Sequence, residues 1–208
     1  MPSSLRQRIA SELAGPALPL VAFSIALNLT VGQITAALKL PVYLDSLGTI
    51  LAAVLCGPWA AMIAGTIANA LAATLGNPSM IFFIPVAMVI GACTAVWAKL
   101  GWFRSWYLCI AGGIIQGIVA ALVSAPISAY VFGGTMMAGT DAVVIFFRSM
   151  GNNLLQSTFY QGLSSDPVDK AISYLTIYFL LRNLPERILG RFKGGHLVQT
   201  KASGTTER

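Results

Sequence analysis

Apart from Lys39, Arg148 and Lys170, every Lys and Arg of this chain falls in one of three places: the N-terminal arm, the 99–104 connection and the tail from about residue 182. Long apolar runs lie between them. A run of roughly 20 apolar residues crosses the hydrocarbon core of a bilayer, and short connections rich in Lys and Arg stay cytoplasmic. The pattern predicts an integral membrane protein in which Arg6 and Arg8, Lys99 and Arg104, and Arg182, Arg187, Arg191 and Lys193 share one side. Both termini are then cytoplasmic. Asp45, Asp141, Asp166 and Asp169 fall in or beside segments that alternate to the outer side, and function is sought there.

Composition agrees. Charged residues make up 10% of the 208 positions and hydrophobic ones 56%, where a soluble domain carries roughly 25% charge; mean hydropathy is +0.76. This length holds about six spans and little else, which leaves no room for a separate soluble catalytic domain. The net charge of +6 sits beside spans, where anionic lipid headgroups account for it, so nucleic acid is not expected as a partner. The N-terminal arm lacks a small-residue cleavage site and reads as the start of a retained first span.

Turn residues divide the apolar runs into six spans at about 16–38, 44–56, 59–75, 80–98, 106–131 and 167–184. Pro41, the Gly57-Pro58 pair and the 76–79 Gly-Asn-Pro-Ser cluster are the clearest breaks. The predicted fold class is an all-α integral membrane protein, six transmembrane helices forming one domain, with a structured external loop between helices 5 and 6 and a polar cytoplasmic tail over 193–208. That loop, 132–165, is too long for an idle connector and apolar enough to enter the outer leaflet. It is expected to be a lid or partly re-entrant segment, the alternative being an interfacial amphipathic helix.

Small residues mark two helix faces. Ala60, Ala64, Ala68 and Ala72 recur at four-residue steps and predict close packing within the bundle. Ala22 and Ala26 form a shorter version in the first span, equally suited to self-packing and to docking a partner helix.

Catalytic signatures are missing. No phosphate-binding G-x-x-x-x-G-K-[ST] occurs, the lone His196 lies in the tail, and Cys56, Cys93 and Cys109 have neither metal nor disulfide spacing. No cofactor, metal site or catalytic residue is expected, and the chain is not expected to be an enzyme. Asp166 and Asp169, at the start of the predicted sixth span beside Lys170, are expected to cap it. Polar residues inside spans cost energy and usually mark function. The substrate-binding candidates are Tyr43, Asp45, Asn69, Asn77, Gln116, Asp141, Arg148, Asn152, Asn153 and Gln156, with Asn28 and Gln33 as further outer-half amides. Arg148, Asn152 and Gln156 recur at four-residue steps and would share one helix face. Amides among aromatics suit a neutral, flat, hydrogen-bonding molecule better than an ion.

The run from Leu40 to Trp59, LPVYLDSLGTILAAVLCGPW, with the Ala22/Ala26 pair, the FGGT sequence from Phe132 and the SDPVDK sequence from Ser165, resembles the substrate-binding S components of energy-coupling factor (ECF) vitamin transporters. The resemblance covers most of residues 16–192. It implies a substrate-specific subunit of an ABC-type importer in a bacterial or archaeal plasma membrane, capturing a vitamin-like micronutrient from outside between gating loops. It also implies partners, a transmembrane coupling protein and two cytosolic ATPases, with Ala22 and Ala26 docking the coupling protein. A solitary membrane carrier and an intramembrane enzyme are the competing readings.

Overall fold

The computed structural model describes residues 4–135 and 139–198. Helix accounts for 79% of it, and no strand occurs among the described residues. Nine α-helices follow one another among the described residues: α1 Leu5–Glu12, α2 Ala17–Ala37, α3 Leu47–Leu55, α4 Pro58–Thr74, α5 Ile84–Lys99, α6 Trp106–Phe132, α7 Asp141–Ser149, α8 Leu154–Arg182 and α9 Glu186–Leu189. Short 3-10 turns at Pro78–Phe83, Trp102–Arg104 and Gly195–Leu197 connect them.

Among the described residues, three segments are long and apolar enough to cross a membrane: Ala17–Ala37, Pro78–Lys99 and Trp106–Phe132. Their outer faces carry exposed Phe23, Ile34, Val96, Leu122 and Val131, an apolar surface that suits lipid and not water. Helix α3 is the opposite case. Its nine residues, apolar on all sides, are all buried, as expected of a helix enclosed by others, and it packs against α2, α4, α5 and α8.

Two helix starts are capped from a distance. Ser46 provides no side-chain cap for α3; instead Asn28 Oδ1 on α2 accepts from the Gly48 N–H at 2.7 Å, while Asn28 Nδ2 donates to Thr49 Oγ1 at 2.8 Å. At the other end of the bundle, Glu12 Oε2 accepts from the Trp59 and Ala60 N–H groups at 2.7 and 3.2 Å, a carboxylate at the positive end of α4. The Gly194 N–H donates to Leu55 O at 2.9 Å on the same end.

Helices α6 and α8 pack along their length through glycine. A Cβ at Gly113 would collide with the backbone at Lys170 and Ala171, and one at Gly117 with the backbone at Asp166 and Pro167. The Gly113-x-x-x-Gly117 spacing therefore brings the backbones together. The Ala60/Ala64/Ala68 ridge is buried in the bundle, with Gly65 facing Ala87 of α5.

Several sequence expectations need correction. The predicted start at Pro167 is wrong, because α8 begins thirteen residues earlier at Leu154 and carries Pro167 in its interior. An Asn153–Gln156 capping box starts this helix: the Gln156 N–H donates to Asn153 Oδ1 and the Asn153 N–H to Gln156 Oε1, at 2.8 and 3.2 Å. Asp166 and Asp169 thus lie mid-helix and cap nothing. The 132–165 segment is consequently smaller than expected as a loop: α7 occupies 141–149, residues from 154 onward belong to α8, and 136–138 lie outside the described residues. Since α7 ends at Ser149, Arg148, Asn152 and Gln156 do not lie on one continuous helix. Residues 199–208 of the tail are also outside the described residues, while Val198 is buried.

Candidate functional site

Helix α2 ends at Ala37, and residues 38–46 fold back to reach α3. Lys39 and Leu44 take left-handed backbone conformations there, with φ of 50° and 49°, at a cost of roughly 1–2 kcal/mol each for residues bearing a Cβ. Asp169 of α8 holds the loop in this shape. Its Oδ1 accepts from the Tyr43 and Leu44 N–H groups at 3.0 and 2.7 Å, and its Oδ2 pairs with Lys170 Nζ. Lys170 also donates to Ser46 Oγ at 2.7 Å and lies 3.7 Å from Asp45 Oδ1.

Tyr43 ties a third segment to the same place. Its hydroxyl is 3.0 Å from Thr140 Oγ1, just ahead of α7, and accepts from Gln161 Nε2 of α8 at 3.4 Å. Burial, with the Asp166 charge nearby, pushes the phenol well above its ordinary range, so the hydroxyl keeps its proton. Gly139 rests on the same loop; a Cβ there would collide with the Lys39 and Leu40 carbonyls.

Beneath these contacts lies a cavity of about 320 Å³, bounded by α2, the 38–46 loop, the C-terminal half of α4 and the 76–80 turn. Its volume is at the lower end of small-molecule sites. A deeper chamber of about 80 Å³ reaches in between α3, α4, α5, α6 and α8. The two share Asn28, Tyr43, Asp45, Asn69 and Met80. Asn28 is spent on capping α3, but Asn69, 9% exposed, has no hydrogen-bond partner among the described residues. Its amide is available to whatever enters.

Of the sequence candidates, Tyr43, Asp45, Asn69 and Asn77 line the larger cavity, Asn77 at an exposed rim. Gln116 is fully buried on α6, and both polar atoms of its side chain lack a partner among the described residues. It precedes Ala120, Ser124 and Ser128, which line the deeper chamber, by four-residue steps, so it shares their face one turn further in. Asp141, Arg148, Asn152, Asn153 and Gln156 line neither space. Arg148 is exposed on α7, Asn152 Nδ2 donates to the Phe147 carbonyl at 3.0 Å, and Asn153 with Gln156 is occupied by the α8 cap. Sequence reasoning gave Asp166 and Lys170 a place at a helix start instead of at the cavity, and passed over Gln161. The signal was present, because a lysine amid an apolar run is costly unless paired.

Ala22 and Ala26 both face outward on α2. No family model, curated protein or solved structure matches the chain.

Proposed function

We propose that this chain is a membrane-embedded capture subunit that holds a small organic micronutrient in the cavity below Tyr43 and passes it to a separate ATP-driven module. In this reading the polypeptide crosses the bilayer six times, with α3 and α4 as two short crossings. The 38–46 and 76–80 connections and residues 139–140 are then external, and the Glu12, Gly57 and Gly194 end is cytoplasmic, where the Lys and Arg clusters lie.

One observation carries the proposal. Three segments distant in sequence, the 38–46 loop, the residues before α7 and the middle of α8, interlock at Tyr43 over a cavity whose amide Asn69 is unpaired among the described residues. That arrangement suits capture and enclosure. The resemblance to ECF S components adds the division of labour, with ATP hydrolysis left to a coupling protein and two ATPases. The outward-facing Ala22 and Ala26 on α2 offer a small-residue surface on which a partner helix can pack closely.

Mass spectrometry of the protein purified alone from native membranes tests this reading. A stoichiometric small molecule, lost from Asn69→Ala, is the expected result. Ala22→Leu with Ala26→Leu should keep that molecule and lose copurifying transmembrane and ATPase partners. A chain that carries no small molecule and no such partners sinks the proposal.

A further inference from the structure

The lining of the two spaces is unbalanced in charge. Lys170 is the one Lys or Arg among the residues that line them, whereas Asp45 lines both and Asp166 the deeper. The ammonium has three N–H donors; Asp169 and Ser46 each accept one, and Asp45 lies within ion-pair range. Asp169 itself accepts from the Tyr43 and Leu44 N–H groups and from Lys170. Lys170 and Asp169 therefore offset each other. Asp45 remains, at 3.7 Å from an ammonium held more closely by others, with 34% of its side chain exposed. Asp166 remains too, touched by the Ser165 hydroxyl at 3.5 Å.

Two carboxylates beside one committed ammonium form an electronegative pocket wall. A ligand carboxylate would meet like charge from Asp45 and Asp166, and an uncharged ligand would leave that wall uncompensated. A cation relieves it, with a charge-assisted hydrogen bond stronger than a neutral one. The rest of the lining is largely aliphatic, including Leu29, Leu75 and Met80, and Asn69 adds an unspent amide.

We infer that the cavity selects a small organic cation, an amidinium or ammonium nitrogen with N–H donors on a compact apolar body, whose charge sits against Asp45 and Asp166. This rests on the capture function proposed above and narrows its substrate class, away from the neutral, flat molecule that the amides suggested.

Three probes of one shape and different charge test it: benzamidine, benzamide and benzoate, titrated against the full chain in lipid nanodiscs at neutral pH by saturation-transfer NMR. Benzamidine should saturate and bind about tenfold more tightly than benzamide, the scale of one charge-assisted contact. Benzoate should not bind. Asp45→Asn should weaken benzamidine by about tenfold and leave benzamide unchanged. Asp166→Asn repeats the comparison at the second carboxylate, so failure of one variant to fold does not end the test. Benzamide or benzoate binding as tightly as benzamidine overturns the cation preference while leaving a working ligand cavity. Binding by none of the three overturns it as well, and the capture function is then judged separately by the copurified molecule.

Discussion

Tyr43 and Asp169 are 126 residues apart in sequence, yet the Tyr43 N–H donates to Asp169 Oδ1 at 3.0 Å. With the adjacent Leu44 N–H on the same oxygen, this carboxylate fixes a backbone turn that is otherwise costly for a leucine. Asp169→Ala would strand two half-buried N–H groups and leave Lys170 without its closest counter-charge. Breaking a buried pair in this way costs about 3–5 kcal/mol. A drop of that size, read as a lowered unfolding midpoint in detergent, is expected; a midpoint within error of the parent chain would deny Asp169 its role.

The same pair makes a prediction about coupling. Lys170→Ala should also destabilise severely, because it leaves Asp45, Asp166 and Asp169 facing one another. The double variant Asp169→Ala with Lys170→Ala should be less harmful than the sum of the single ones, by about 1.5 kcal/mol or more, since each single change leaves the other charge buried and unpaired. Strict additivity in a double-mutant cycle would mean that the two side chains act independently.

Asn28 and Asn69 provide a contrast between two amides that border both chambers. Asn28 is saturated by Gly48 and Thr49, so Asn28→Ala should cost about 1–3 kcal/mol of stability. Asn69 has no partner to lose among the described residues, so Asn69→Ala should leave the melting midpoint within about 0.5 kcal/mol, as a change that breaks no contact does, and weaken ligand retention by about tenfold. Thermal unfolding and retention measured on the same preparations separate the two roles.

Helical character was legible along most of the chain because apolar runs and their Gly, Pro and Asn breaks act locally. The bounds of α2, α4 and α6 follow those breaks to within one or two residues of the expected spans. Proline misled at 167. A proline ends a helix on local grounds, but here α6 presents Gly117 to the backbone at Pro167, and tertiary packing stabilises a helix that continues through it. With that boundary went the reading of Asp166 and Asp169 as caps. Amides and loop residues near the cavity, Tyr43, Asp45 and Asn69, could be picked out by their cost inside an apolar segment. The pairing of Asp169 with residues 43 and 44 could not, because nothing local in the sequence encodes a contact across 126 positions.

The α7–α8 connection tests that reassignment. Asn153→Ala removes a helix-capping side chain and should cost about 1 kcal/mol of stability with ligand affinity unchanged. Arg148→Ala and Asn152→Ala, which border neither cavity, should likewise leave affinity unaltered in calorimetric titration. A tenfold loss from either would bring α7 back into the binding site.

Gly139 offers the sharpest test of enclosure. It lies directly on the Lys39 and Leu40 carbonyls, and it also lines the larger cavity, so it sits where two connections meet above the ligand space. A side chain there has no flexible neighbour to push aside, since the obstructing atoms are backbone. Gly139→Val should therefore hold the two connections apart without touching the helices that carry Asn69, Asp166 or Lys170. The ligand would still reach its polar contacts but would no longer be covered, and affinity changes of this kind fall mainly on dissociation. The expected result is a release rate about tenfold faster or more, with helical content and melting midpoint near those of the parent chain. Measuring release of the copurified molecule by rapid dilution and filtration decides it: an unchanged release rate in a folded Gly139→Val protein would show that this contact closes nothing.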